Sequence, residues 1–345
     1  MDNGLLDDVD WASSCRRGER GKVEEFDVVV VGGGIVGMTC AVELRRRGAR
    51  VGVVTADEPA RTTSWLAAAV WYPVGIGGSE RALTFAQDSF DVFAEQAERG
   101  VPGVRMIGTR MLHRRPLPAD PWWSTAVPGF ATEDADDPFT GAWRFSVPMV
   151  EVPTYLPWLH AQAVELGVEV RTKKLASLAE LTDHARVVVN ATGLASRTLC
   201  GDTTVQPVRG QVIRASNPGL AVSVRDEHNP GGHTYVHPRR NDVIIGGTFE
   251  PGKIDTAPDP DTAEALWSRA TELVPELRRA RVLEHHAGLR PAREDGPRVE
   301  LDRHLIPGRT VVHNYGHGGA GITLSWGSAR ETADLIAQVS SCATV

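Results

Sequence analysis

The chain has 345 residues, 41% of them hydrophobic, enough to bury one large core or two interlocked ones, so a two-domain globular protein is the natural expectation. Its formal net charge of -7, with no Lys and Arg cluster interleaved with aromatics, argues against a nucleic-acid partner. Cys15, Cys40, Cys200 and Cys342 lie far apart with no CxxC pair and no dense framework, which fits inert, reduced thiols in a cytoplasmic protein better than disulfides or a zinc site.

Residues 1–24 are polar and acidic, with Asp2, Asp7, Asp8 and Asp10, and read as a loose leader rather than a secretory signal. No apolar run approaches the roughly 20 residues a membrane span requires, so no membrane partner is expected. Phe26-Asp27-Val28-Val29-Val30-Val31 is β-branched and almost continuously apolar, as suits a central parallel strand covered on both faces. Gly32-Gly33-Gly34-Ile35-Val36-Gly37 follows, leading into a helix-favouring stretch over 38–47 closed by Gly48, and then a second strand over 50–54. Strand, glycine turn, helix and strand within about 30 residues make a βαβ unit.

Beyond it, prolines and tryptophans scattered through 116–157 and an acidic turn at 133–137 mark a separate, antiparallel domain. A helical pattern over 155–166 and strands over 168–170 and 186–190, the latter running into Ala191-Thr192-Gly193, return the chain to the first sheet. A second excursion over 205–281 carries short strands at 210–214, 234–237 and 243–247 between Pro and Gly turns. Finally 311–313 runs into a glycine-rich loop and a helix reaching about residue 339. The reading is an α/β chain without internal repeats. Segments 25–77, 150–204 and 282–345 form a Rossmann-type domain, and segments 78–149 and 205–281 form a discontinuous, mainly antiparallel α+β substrate-binding domain.

Gly32, Gly34 and Gly37 complete a G-x-G-x-x-G pattern, which permits the tight turn, the approach of a pyrophosphate and the packing of helix on strand. The pyrophosphate then lies on the helix N-terminus, where the backbone N–H groups around Ile35 and Val36 and the helix dipole favour an anion. Asp57, just past the second strand, is placed to accept hydrogen bonds from a ribose diol, which disfavours NADP; the alternative is an ordinary loop acid or helix cap. These motifs do not separate FAD from NAD. In Thr62-Thr63-Ser64-Trp65-Leu66-Ala67-Ala68-Ala69-Val70-Trp71, small apolar residues Ala68, Ala69 and Val70 can lie against an aromatic ring system while Thr63 and Ser64 hold phosphate; the alternative is a buried helix.

Val311-Val312-His313-Asn314-Tyr315-Gly316-His317-Gly318-Gly319-Ala320-Gly321-Ile322-Thr323, followed by Gly327-Ser328-Ala329, resembles the C-terminal signature of the D-amino-acid oxidases along its whole length. Supporting matches occur in the family's order: Ala67-Ala68-Ala69, Asn190-Ala191-Thr192-Gly193, Gly210-Gln211, Gly246-Gly247-Thr248-Phe249 and Gly288-Leu289-Arg290-Pro291. The resemblance implies a Rossmann flavoprotein oxidase that holds FAD with Gly318, Gly319, Gly321 and Thr323 beside the flavin and Leu175 also on the cofactor. It implies that Arg290 pairs with the substrate carboxylate, that Tyr235 donates a hydroxyl to it, and that Gly319 borders the substrate. Where vertebrate relatives carry another tyrosine four residues upstream of Tyr235, this chain has Gly231, so a more open substrate site is expected.

The implied activity is oxidative deamination of neutral or hydrophobic D-amino acids to 2-oxo acids, ammonia and hydrogen peroxide, with hydride passing from Cα to flavin N5 and O2 as acceptor. The small-molecule partners are therefore a D-amino acid and O2, and the reading leaves room for a homodimer. Rival readings are a D-aspartate, glycine or sarcosine oxidase, for which Arg239 and Arg240 are the available cations although they read as a hairpin tip; an NAD-dependent dehydrogenase; and a catalytically silent flavin-binding protein. Neither the pair His285 and His286 nor His313 and His317 has metal-ligand spacing with acids, so structural histidines are expected and no metal is assigned.

Overall fold

The computed structural model describes residues 25–73 and 79–342, with side chains to residue 339; the leader read over 1–24, with Cys15, lies outside the described residues. The strand Phe26–Val31 (β1) is buried at every position, as its unbroken apolar run requires of a strand covered on both faces. It pairs in parallel with Val51–Thr55 (β2) on one side and Ala185–Asn190 (β7) on the other. Glu169–Thr172 (β6) extends the sheet beyond β2, while Thr310–Tyr315 (β15) and antiparallel Arg298–Asp302 (β14) extend it beyond β7, giving the order β14-β15-β7-β1-β2-β6. The glycine turn leads directly into the helix Ile35–Arg46 (α1), which packs against the final helix, Gly321–Cys342 (α5).

Among the described residues a second, nine-stranded sheet is mainly antiparallel. It is built from Val104–His113 (β3), Ala131–Glu133 (β4), Gly141–Val150 (β5), Val205–Ser216 (β8), Ser223–Asp226 (β9), Thr234–Pro238 (β10), Asp242–Gly246 (β11), Glu250–Pro251 (β12) and Val282–Arg293 (β13). One element differs from the division read in the sequence. The sequence reads segment 282–345 as wholly part of the Rossmann-type domain, yet β13 within it runs antiparallel along β8, with Arg290 opposite Val208. The strand is largely half-exposed and lacks an apolar alternation, so its sheet membership leaves no periodic signal.

The two sheets share a packed interior. Helix Glu80–Glu98 (α2) lies on α5, and Gly327 makes the approach possible, because a Cβ there would sit 2.4 Å from the Phe85 backbone. The Ser89 hydroxyl accepts from the Gly327 N–H across the contact (3.0 Å). An aromatic cluster closes the far side, with Trp71 edge-on to Phe90 (centroids 5.4 Å) and Trp123 edge-on to Phe145 (5.2 Å). Helix Val152–Glu165 (α3) returns the chain to the nucleotide side, as its apolar face, with buried Tyr155, Leu156 and Leu159, demands. Among the described residues no helix is long and apolar enough to cross a membrane.

Candidate active site

A cavity of about 940 Å³ runs from the glycine turn after β1 to the face of the second sheet. At its nucleotide end, Gly32 has φ +124°, a region L side chains rarely adopt, and a Cβ on Gly37 would stand 1.9 Å from the Gly32 carbonyl. Both glycines are therefore required by the turn itself. Helix α1 has no capping side chain of its own. Instead Ser64, 29 residues away in a short 3₁₀ turn at Thr63–Leu66, accepts from the Ile35 N–H (3.1 Å). That leaves the Ser64 O–H as a donor beside a helix N-terminus, a place that favours an anion. A second buttress was not read in the sequence: His160 Nε2 on α3 donates to the Gly33 carbonyl (2.9 Å), and burial holds the imidazole below its ordinary pKa although that bond opposes the shift. Spacing gives no hint of it, since the two residues are 127 positions apart.

Asp57 lines the cavity just beyond β2, half-exposed, with Arg61 Nε 3.9 Å from its carboxylate. Leu175 is buried along the same wall. The run 67–71 is extended rather than helical: the Ala69 carbonyl accepts from the Val150 N–H (2.9 Å) and the Pro148 carbonyl accepts from the Trp71 N–H (2.8 Å). Ala68, Ala69 and Val70 thereby present backbone and small side chains to the cavity. Ala69 has φ 53°, a conformation non-glycine residues adopt at a cost of roughly 1–3 kcal/mol where the surroundings impose it.

The glycine loop after β15 closes the opposite wall. The Gly318 N–H donates to the Pro291 carbonyl (2.8 Å), which docks the loop on the end of β13 immediately beside Arg290. A Cβ on Gly319 would lie 3.5 Å from Arg290 Cδ. The first intrahelical bond of α5 runs from the Leu324 N–H to the Ala320 carbonyl (3.0 Å), so the N–H groups of Gly321, Ile322 and Thr323 are the free donors of a helix start facing the cavity. The Thr323 hydroxyl is committed elsewhere, exchanging two 3.1 Å bonds with the Tyr72 backbone. His313, Asn314 and Tyr315 of the same signature bond within the protein, and Asn314 and Tyr315 also line the cavity. His313 bonds Asn190 and Asp302 (both 3.3 Å), Asn314 donates to the Ser328 carbonyl and Thr332, and Tyr315 donates to Asp202 (2.8 Å). Among the described residues no group of three His, Cys, Asp or Glu side chains is arranged to hold a metal.

Two arginines on neighbouring strands separate by their partners. Arg209, 1% exposed, spends its guanidinium on Glu250, Gln211 and the carbonyls of Asp255 and Ala257. Arg290 donates Nη1 to the carbonyls of Thr248 (3.1 Å) and Arg209 (3.3 Å), its side chain also hydrogen-bonds Tyr235, and no described carboxylate lies within ion-pair distance of it. Gly210 makes its slot, because a Cβ there would meet Arg290 Nη2 at 2.2 Å. Phe249 lies beside the cation, 5.9 Å from ring centroid to guanidinium carbon. Tyr235 stands in the same cavity, its ring against Gly246 and Gly247 and stacked on His237 (centroids 4.4 Å, 13° between planes). Burial pushes its phenol pKa up against the opposing charges of Arg290 and Arg225, so the hydroxyl remains a donor. Arg239 and Arg240 lie outside this cavity, Arg239 being paired with Asp242.

The geometry is that of a dinucleotide groove leading to a half-buried guanidinium. The family model described as FAD dependent oxidoreductase matches residues 27–335. The chain belongs to that family. Its relatives include the D-amino-acid oxidase of Rubrobacter xylanophilus, 46% identical over 322 residues that span 92% of this chain and 98% of that protein. The D-amino-acid oxidase of Streptomyces coelicolor is 42% identical, over 90% and 96% of the two chains. Among solved structures, glycine oxidase from Geobacillus kaustophilus shares the fold, with a TM-score of 0.77 at 22% identity, covering 92% of this chain and 95% of that one. The protein is accordingly an oxidoreductase with FAD as cofactor, and the groove fits it: an anion site at the α1 N-terminus, an acid beyond β2, a flat wall at 67–70 and a second helix N-terminus at α5.

Sequence reasoning missed Arg225, Tyr72 and His237, all of which line the cavity. A signal existed. Ser223 and Arg225 on β9, and Tyr235 and His237 on β10, alternate with period two, and the antiparallel register pairs Tyr235 with Arg225 on one face.

Proposed function

We propose that this chain is a D-amino-acid oxidase, converting a D-amino acid, O2 and water to a 2-oxo acid, ammonia and hydrogen peroxide, and that it works in the cytoplasm. The observation that carries this reading is Arg290: a half-buried cation with no carboxylate partner among the described residues, held beside Tyr235 and Gly319 at the end of the FAD groove. A planar guanidinium meets a carboxylate with two parallel charge-assisted bonds, and the Tyr235 hydroxyl supplies a further donor.

On the cofactor side, Gly32, Gly34, Ile35, Val36, Gly37, Thr63 and Ser64 receive the pyrophosphate, and Asp57 the ribose. Leu175, Ala68, Ala69, Val70, Gly318, Gly319, Gly321 and Thr323 line the remainder. Bound FAD supplies the redox chemistry, accepting hydride from the substrate Cα and passing two electrons to O2. The protein's own task is orientation: with the carboxylate fixed at two points, one enantiomer turns its Cα–H to the cofactor. Hydride transfer needs no side chain to take a Cα proton. His233 and His237, the histidines nearest Tyr235, have their pKa held below the ordinary value, mainly by burial.

The test is a peroxide assay on the FAD-loaded full chain with a panel of D- and L-amino acids. Peroxide is expected with D-amino acids carrying neutral side chains and not with their L enantiomers. Yellow, FAD-bound protein that releases no peroxide with any D-amino acid ends the proposal.

A further inference from the structure

The cavity contains a second guanidinium that the proposed reaction does not use. Arg225 is the cross-strand neighbour of Tyr235, and its guanidinium carbon lies 5.9 Å from that ring's centroid. Its side chain is only 6% exposed. A cation so close to the carboxylate-binding tyrosine would draw substrates with a second carboxylate. Its charge is instead answered from within the protein, although its Nε is buried without a hydrogen-bond partner. Arg225 Nη2 donates to Glu227 Oε1 (3.0 Å), the guanidinium lies 3.8 Å over the Tyr72 ring, and the Tyr72 hydroxyl donates to Glu227 Oε2 (3.2 Å). His233 Nε2 stands 3.8 Å from the same carboxylate. Tyr72, Arg225 and His233 line the cavity, whereas Glu227 stands behind them.

We propose that Glu227 sets the substrate class of this enzyme by neutralising Arg225, so that D-amino acids with uncharged side chains are accepted and those with acidic side chains are refused. The inference rests on the D-amino-acid oxidase reading. An incoming side-chain carboxylate would have to displace Glu227 from Arg225 and would then remain beside a second negative charge in a poorly solvated pocket. Arg225 is buried and Glu227 partly so, and uncovering a buried cation is costly, so the internal carboxylate prevails. An uncharged side chain meets a surface whose net charge is already cancelled. Glu227 acts through Arg225 and is therefore a positioning residue that determines specificity.

Two substrates of nearly equal shape isolate the charge: D-glutamate and D-glutamine. In the unaltered enzyme kcat/KM is expected to favour D-glutamine. Glu227→Gln keeps the side chain's shape and one acceptor for Arg225 but removes the charge, and the ratio of kcat/KM for D-glutamate over D-glutamine is expected to rise by about tenfold or more, within the range measured for close charge pairs. Arg225→Met added to Glu227→Gln should erase that gain, which a merely structural effect of the first substitution would not do. An unchanged ratio in Glu227→Gln, a gain that survives loss of Arg225, or a preference for D-glutamate in the unaltered enzyme overturns the inference. Should the variant fail to fold, titrating the unaltered FAD-loaded enzyme with butyrate and succinate through the flavin absorbance decides the matter: tighter succinate binding refutes the proposal, weaker binding supports it. Turnover of D-methionine is the separate control for the reaction, since its absence would fault the D-amino-acid oxidase reading rather than the role of Glu227.

Discussion

Replacing Arg290 with alanine is the perturbation to which the proposed chemistry is most exposed. In the folded chain the guanidinium is held in place by two carbonyls, those of Thr248 and Arg209, and by the slot over Gly210. It takes part in no ion pair among the described residues, so its removal leaves no orphaned acid behind. The loss should therefore fall on substrate rather than on stability. Truncating one side of a buried, hydrogen-bonded charge pair costs on the order of 2–5 kcal/mol, which corresponds to a KM raised by roughly 30- to 5,000-fold. FAD content, read from visible absorbance after gel filtration, should match the parent, since Arg290 reaches the carboxylate side of the cavity and not the pyrophosphate turn. Steady-state peroxide release with a neutral D-amino acid supplies KM and kcat. An unchanged KM would remove Arg290 from the substrate site; loss of flavin together with activity would show that its role is structural and refute the same reasoning.

Other outcomes follow from the same geometry. Tyr235→Phe removes a single donor to a charged group, so kcat/KM should drop by roughly 10- to 150-fold, the equivalent of about 1.5–3 kcal/mol, with flavin retained; equal kinetics for the two proteins would exclude the hydroxyl. Gly34→Val should abolish flavin incorporation, because even a Cβ there stands 3.1 Å from Ser64 Oγ and the γ-methyls project into the anion site; a fully yellow variant contradicts the assignment. His317 is held down to about 4 by burial, against an ordinary value of 6.5. The unfolded chain thus binds the extra proton first, and stability should decline as pH drops from about 6.5 towards 4. Urea unfolding of His317→Asn should show a shallower decline than the parent over that window, and parallel curves would dismiss His317 as a source.

The βαβ unit was legible because its determinants are local. Six consecutive buried residues make β1, and the tight turn needs Gly32 and Gly37 whatever packs around them. Burial pushes the Cys40 thiol up to about 12, but nothing in its neighbours along the chain predicts the Asn314 amide that contacts it. Arg290 and Tyr235 were legible through resemblance alone, since an arginine in a half-exposed strand has no periodic signature. Nothing in composition or spacing separates Arg290 from Arg209, one with free donors and the other fully paired.

By itself the sequence determined the parallel strands, the glycine turn and the helices that begin and end at them, because strand pattern, turn chemistry and helix propensity act over a few residues. Only the tertiary structure decided that β13 joins the second sheet, that Ser64 and His160 complete the glycine turn, and that Glu227 stands behind Arg225. Each of those facts depends on groups brought together by packing from distant parts of the chain. Whether a buried charge is available to a ligand depends on every partner around it, and strand pairing and helix packing choose those partners.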